Sequence, residues 1–209
     1  MKTDDLITLL AADPVPPAFS APRIALRLLG TVAACAGLFL LAAGPRPDLA
    51  AKLVLPLVAA KTLLAALTCA LALAAVLRLA RPQARRGIAL LLLPALIAAG
   101  LWLYGFTTRP PEVRFVDVTL PAVAECLGLI LLLSAIPAVV ALRLVREGAS
   151  IHPRLSAALA GLAAAAGAAT GYSFFCTQDN PVFYVTWYGA AMLIVAGLSA
   201  RFGADLLRW

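Results

Sequence analysis

Residues 120–142 read LPAVAECLGLILLLSAIPAVVAL, an apolar run broken by one charge, Glu125. A helix rises about 1.5 Å per residue and a bilayer's hydrocarbon core is about 30 Å thick, so roughly 20 such residues cross it. The run is long enough, and it lacks the period-two alternation of a barrel strand. Five further apolar runs stand at 24–43, 53–77, 88–106, 155–175 and 182–202. The composition agrees: 63% of the residues are hydrophobic and 13% charged, against about 45–50% and about 25% in soluble domains. The predicted fold is all-α, a polytopic membrane helix bundle of six transmembrane helices. Residues 24–209 form the membrane domain, and residues 1–23 form a separate N-terminal segment.

Orientation follows from the basic residues between the runs. Lys2, Arg23, Arg27, Arg78, Arg81, Arg85, Arg86, Arg143, Arg146, Arg154, Arg201 and Arg208 fall on one side. Only Arg46, Lys52, Arg109 and Arg114 fall on the other, and Lys61 lies inside the second run. Both termini are therefore expected in the cytoplasm. This asymmetry also accounts for the net charge of +7, so membrane lipid is the expected contact and nucleic acid is not a direct partner. The segment before the first helix does not read as a cleaved signal, because Asp4, Asp5 and Asp13 occupy the place of a basic n-region.

Within that segment, Thr3 can cap a helix, with Asp4 and Asp5 in its first turn, where negative charge suits the helix dipole. Leu6, Ile7, Leu9 and Leu10 form an apolar stripe, and Asp13-Pro14 ends it. So short a helix is marginal alone in water. It calls for a groove on the membrane domain or on a cytoplasmic protein, and a flexible tail is the alternative.

Side chains able to do chemistry are few. The single histidine, His152, falls in a short loop and reads as solvated, and no metal, nucleotide or protease motif stands where its mechanism would work. The sequence predicts no enzyme and no cofactor. Helix five is rich in Ala and Gly, with Gly167 and Gly171 at close-packing spacing, which places it centrally in the bundle. Trp102, Tyr104, Phe106, Tyr172, Phe183, Tyr184, Trp187 and Tyr188 read as aromatic belts at the outer ends of helices three, five and six.

Lys61 lies in helix two, where a charge costs about 2.5–3.5 kcal/mol on insertion scales. Either it snorkels outward or it pairs as a buried polar clamp with Glu125, at similar depth. Cys35 and Cys69 lie among Ala and Leu and read as small hydrophobes. Cys126 follows Glu125, and Cys176 opens the polar turn Thr177-Gln178-Asp179-Asn180. Both face the periplasmic side on this topology. Counted along their helices from Arg143 and Arg154, the two thiols differ in depth by about 8 Å, against a Cα separation of about 5.5 Å in a disulfide. Helix tilt can remove part of that difference. A disulfide and a soft metal ion held by both thiols, with Glu125 or Asp179 helping, stay open.

Met1-Lys2-Thr3-Asp4-Asp5-Leu6-Ile7, the Arg46-Pro47-Asp48-Leu49 loop, Lys61, Glu125-Cys126-Leu127 and His152-Pro153-Arg154-Leu155 occur in an order and spacing that resemble the NrsF family, the membrane-bound negative regulators of sigma F. Cys176 with its polar turn, Trp187-Tyr188 and Leu207-Arg208-Trp209 complete the pattern. One departure is Phe175, where a histidine is expected in many members. The resemblance implies an anti-sigma factor of the bacterial inner membrane. Its N-terminal segment, with Asp4, Asp5, Leu6, Ile7, Leu9 and Leu10, would hold an extracytoplasmic-function sigma factor inactive. Cys126 and Cys176 would sense heavy-metal or oxidative stress. The competing classes are a small membrane transporter, built on Lys61 and Glu125, and a membrane thiol oxidoreductase.

Overall fold

The computed structural model describes residues 3–12, 19–81 and 88–207. Among them there is no strand, and six helical stretches are long and apolar enough to cross a membrane. A short helix α1 (Thr3–Ala12) precedes them. The spans are α2 (Ala21–Ala43), α4 (Pro56–Leu79), α5 (Leu92–Thr108, entered through a 3-10 turn at Ile88–Leu91), α6 (Leu120–Val145), α7 (Pro153–Tyr172) and α8 (Pro181–Leu198). A five-residue helix α3 (Leu49–Leu53) joins α2 to α4, and α8 continues through a π turn at Ser199–Gly203.

Proline punctuates the chain. Pro22, Pro56, Pro121, Pro153 and Pro181 each stand at the first or second position of a span, where the missing N–H has no intrahelical acceptor to lose. Thr119 and Asn180 cap α6 and α8 by accepting from the backbone N–H of Ala122 and Val182. The expected start of helix two at residue 53 needs correction. Leu53 ends α3, and the membrane helix begins at Pro56. Hydropathy cannot see that break, because Leu53, Val54 and Leu55 are apolar.

Helix α7 is the central element, packed by α2, α4, α6 and α8. Its small residues explain this placement. A Cβ on Gly167 would stand 2.8 Å from a methyl of Val32, and one on Gly161 would collide with Ser199. The expected role of the small residues of helix five in close packing is met. Around α7 lie two apolar clusters. One holds Ile24, Leu28, Val76, Leu79 and Val145. The other holds Ile130, Phe183 and the tyrosines of α7 and α8.

The bundle thus has two unlike ends. At one, which we call the basic end, α4 and α6 finish in Arg78 and Arg143 and α7 begins. There Ala149 donates its N–H to the Ala80 carbonyl, and Phe19 packs on Gly148. At the other, the loops after α2 and α7 meet.

Candidate functional site: a cation-clamped cysteine loop

The loop after α2 turns at Gly44, whose φ of +79° is open to glycine and strained for other residues. That turn aims Arg46 inward. Its backbone N–H donates to the Phe174 carbonyl at 3.0 Å. Its guanidinium is buried and forks between two carboxylates, reaching Asp48 at 2.7 Å and Asp179 at 2.8 and 3.1 Å. The same group donates to the carbonyl oxygen of Cys176 at 3.2 Å.

Lys61, one and a half turns into α4, joins this cluster from below. Its side chain is 0% exposed. Nζ donates to the carbonyls of Cys176 at 2.9 Å and Gln178 at 3.1 Å, and to Asp179 Oδ1 at 3.1 Å. An ammonium has three protons, so it is saturated. Next to it, the Thr62 and Ser173 hydroxyls are 2.8 Å apart, and Ser173 donates onward to the Thr170 carbonyl. Asn180, also buried, ties the loop sideways by donating to the Arg114 carbonyl at 3.1 Å.

The cluster is close to neutral, with Arg46 and Lys61 facing Asp48 and Asp179. That is what makes a buried lysine tolerable here. Burial opposes ionisation of Asp179, but the hydrogen bonds from Arg46 and the charge of Lys61 outweigh it, so this carboxyl sits below the usual range. The Arg46 hydrogen bond likewise lowers Asp48, and the two carboxylates together raise Arg46 above its ordinary value.

Two expectations for the polar residues are thereby corrected. Lys61 is buried, but its partner is Asp179 and not Glu125. Glu125 itself is exposed on the outer face of α6, so it is neither a buried polar residue nor part of a Lys61 clamp. Asp179, considered as a helper for a metal ion, is engaged by both cations. A transport pathway built on a Lys61–Glu125 pair therefore loses its basis.

Beneath the cluster lie the thiols. Cys126 and Cys176 are free, 0% and 2% exposed, and belong to the same buried cluster. Around them stand Tyr172, Tyr184, Tyr188 and Phe183, all buried. These rings were expected in an interfacial belt, and instead they form an inner cage. The Tyr172 and Tyr188 rings are 5.8 Å apart. The Tyr188 hydroxyl is buried without a nitrogen or oxygen partner, in the same cluster as both thiols. The belt reading fits better on α5, where Tyr104 is exposed and Trp102 stacks on Phe106 at 5.0 Å. Cys69 is buried against Gly167, as expected of a small hydrophobe, and Cys35 is half-buried. Among the described residues, no group of three or more His, Cys, Asp or Glu side chains comes together as a metal cage.

Of the six residues expected to contact a sigma factor, all lie within α1. Ile7 is 59% exposed; the side chains of Asp4, Asp5, Leu6, Leu9 and Leu10 lie outside what the structure describes. Thr3, expected as the cap, is the first described residue of the helix.

Arg46 enters the sequence reading as a loop charge and as part of a family motif, without a place in the site. The signal available was the compact Arg46-Pro47-Asp48 motif facing the one other polar turn that carries a carboxylate beside a cysteine.

Fold and site together define an all-helical protein with six helices long and apolar enough to cross a membrane, two buried thiols beneath a cluster of paired charges, and a short helix ahead of the first long one. The family model described as "Negative regulator of sigma F" matches residues 10–209. The chain belongs to this family, NrsF. It is 38% identical, over the full length of both chains, to a probable anti-sigma-F factor NrsF of Azospira oryzae. It is 30% identical, again over both full lengths, to the anti-sigma-F factor NrsF of Caulobacter vibrioides. No solved structure matches. The chain is thus an anti-sigma factor, a negative regulator whose partner is a sigma factor.

Proposed function

We propose that this chain holds an extracytoplasmic-function sigma factor at the bacterial inner membrane and releases it when Cys126 and Cys176 react. Residues 1–23 form the cytoplasmic sigma-binding segment, and residues 24–209 form the membrane domain. The observation that carries this reading is the separation of the two elements. The thiols lie at one end of the bundle, beside Arg46 and Lys61. The root of the N-terminal segment, at Phe19, packs at the other end on Gly148 and on the cluster of Val76, Leu79 and Val145.

Twelve of the basic residues fall, in the sequence, on the same side of the spans as Phe19, and this bias supports a cytoplasmic position for that end and for both termini. The thiols then face the periplasm, where metal ions and oxidants arrive first. Two thiols without a third ligand suit soft ions of low coordination number better than a tetrahedral zinc site. Phe175 supplies no imidazole to such a site.

The test is a Cys126→Ser, Cys176→Ser double variant, read with a sigma-dependent reporter in cells exposed to heavy-metal salts or peroxide. Repression is expected to persist and induction to vanish. Full reporter activity without any inducer would mean that the thiols hold the complex together and do not sense.

A further inference from the structure

The Cys176 carbonyl accepts from two cations on different elements, Lys61 of α4 and Arg46 of the loop after α2. Both cations also hold Asp179, three residues further on. With Thr62 against Ser173, the whole of α4's entry is fastened to the loop 173–180. A thiol and its own carbonyl share one Cα, so Cys176 cannot be drawn far toward α6 without pulling that carbonyl off its donors. Lys61 would then be a buried charge short of an acceptor, which is costly unless the helix carrying it moves too.

The other end of α4 has a definite contact. A Cβ on Gly148 would lie 2.8 Å from both Cβ and the carbonyl oxygen of Ala80, and 3.0 Å from the Phe19 ring. The Ala80 carbonyl also receives the Ala149 N–H at 3.0 Å. Phe19 stands two residues before α2, where the N-terminal segment joins the first span. Between Lys61 and Ala80 the helix is about 28 Å long, at 1.5 Å per residue. Helix α4 is thus tied at one end to the cysteine loop and at the other to the root of the segment.

We propose that Arg46, Lys61 and Asp179 are positioning residues that form a latch on the Cys176 main chain, and that α4 transmits the state of this latch to the Phe19 root. This rests on the sensing role proposed above. A soft divalent cation shared by the Cys126 and Cys176 thiols, which give up two protons to bulk water, shifts the Cys176 carbonyl and opens the latch. Helix α4 then follows, the packing of Phe19 on Gly148 and on the cluster holding Val76 and Leu79 of α4 loosens, and the segment lets go of its partner.

The test uses the full chain in native membrane vesicles. N-ethylmaleimide alkylation of Cys176 is followed by mass spectrometry, with Cys69 as the internal reference, because it is buried in the same helix as Lys61. Lys61→Met, and separately the milder Asp179→Asn, are expected to speed alkylation of Cys176 about tenfold or more. Cys69 should stay within about twofold of its original rate, taken as the noise of such a comparison. In cells, both variants should raise the sigma-dependent reporter without metal. An unchanged Cys176 rate in both variants overturns the latch. Equal acceleration at Cys69 and Cys176 overturns it in favour of general support of the bundle. Faster Cys176 alkylation with repression intact overturns transmission through α4. Failure of the sensing role shows separately, as a Cys126→Ser, Cys176→Ser variant that still responds to metal, and it leaves the alkylation result standing.

Discussion

Replacing Gly171 by alanine tests the packing that fixes α7 at the centre of the bundle. An added Cβ would stand 2.4 Å from the Cβ of Ala36 on α2. Two methyl carbons rest at roughly 3.6–4.0 Å, so α2 and α7 must separate by about 1.2–1.6 Å, or shear. Overpacking of this kind costs about 1–3 kcal/mol. Opposing it is the gain of about 0.5–1 kcal/mol from replacing glycine within a helix. Gly128→Ala is the matched control, since nothing lies within 4 Å of a Cβ there and only the gain remains. The gap between the two variants is therefore the steric cost, about 1–3 kcal/mol. At about 2–4 °C per kcal/mol for a chain of this size, it appears as roughly 2–12 °C in Tm. Buried Cys69, Cys126 and Cys176 allow Tm to be read in detergent with a thiol-reactive fluorophore. A Gly171→Ala protein melting at or above Gly128→Ala would refute the close α2–α7 contact.

Two further outcomes follow from the charged cluster and from α1. Asp179 has a lowered folded pKa, so its contribution is present above the unfolded value of about 3.9 and is lost as pH falls through the folded value. Tm should be level from about pH 5 to 8 and drop below about pH 4, more shallowly in Asp179→Asn; an acid limb of unchanged steepness in that variant would remove Asp179 from its cause. Placing aspartate at both Leu6 and Ile7 should release the sigma factor while the protein still inserts in the membrane, read by co-purification from solubilised membranes. Retained co-purification would exclude α1 as the binding element.

The six spans were legible because a charge is costly in lipid, and long stretches without one stand out. Which face of each span turns inward was not legible. In a soluble helix the polar side marks the surface, but lipid is as apolar as the bundle's own interior. The aromatic residues of α7 and α8 show the consequence. Composition alone suits them to a belt, yet Tyr172, Tyr184 and Tyr188 are buried around the thiols, because α7's alanines and glycines leave room that large rings fill.

The partner of Lys61 was misjudged for a related reason. Matching depth by counting residues along straight helices makes Glu125 the natural choice. That count treats the loops as lying outside the bundle. Residues 173–180 instead fold back over the end of α4, held by Asn180 on the Arg114 carbonyl and by Phe174 on the Arg46 N–H. Asp179 is thereby brought down to Lys61. Glu125, five residues into α6, is exposed on its outer face, where no buried partner is required. A lysine within a span therefore asks which polar loop can reach it, not only which charged residue shares its depth. Here the loop that reaches it carries one of the two thiols.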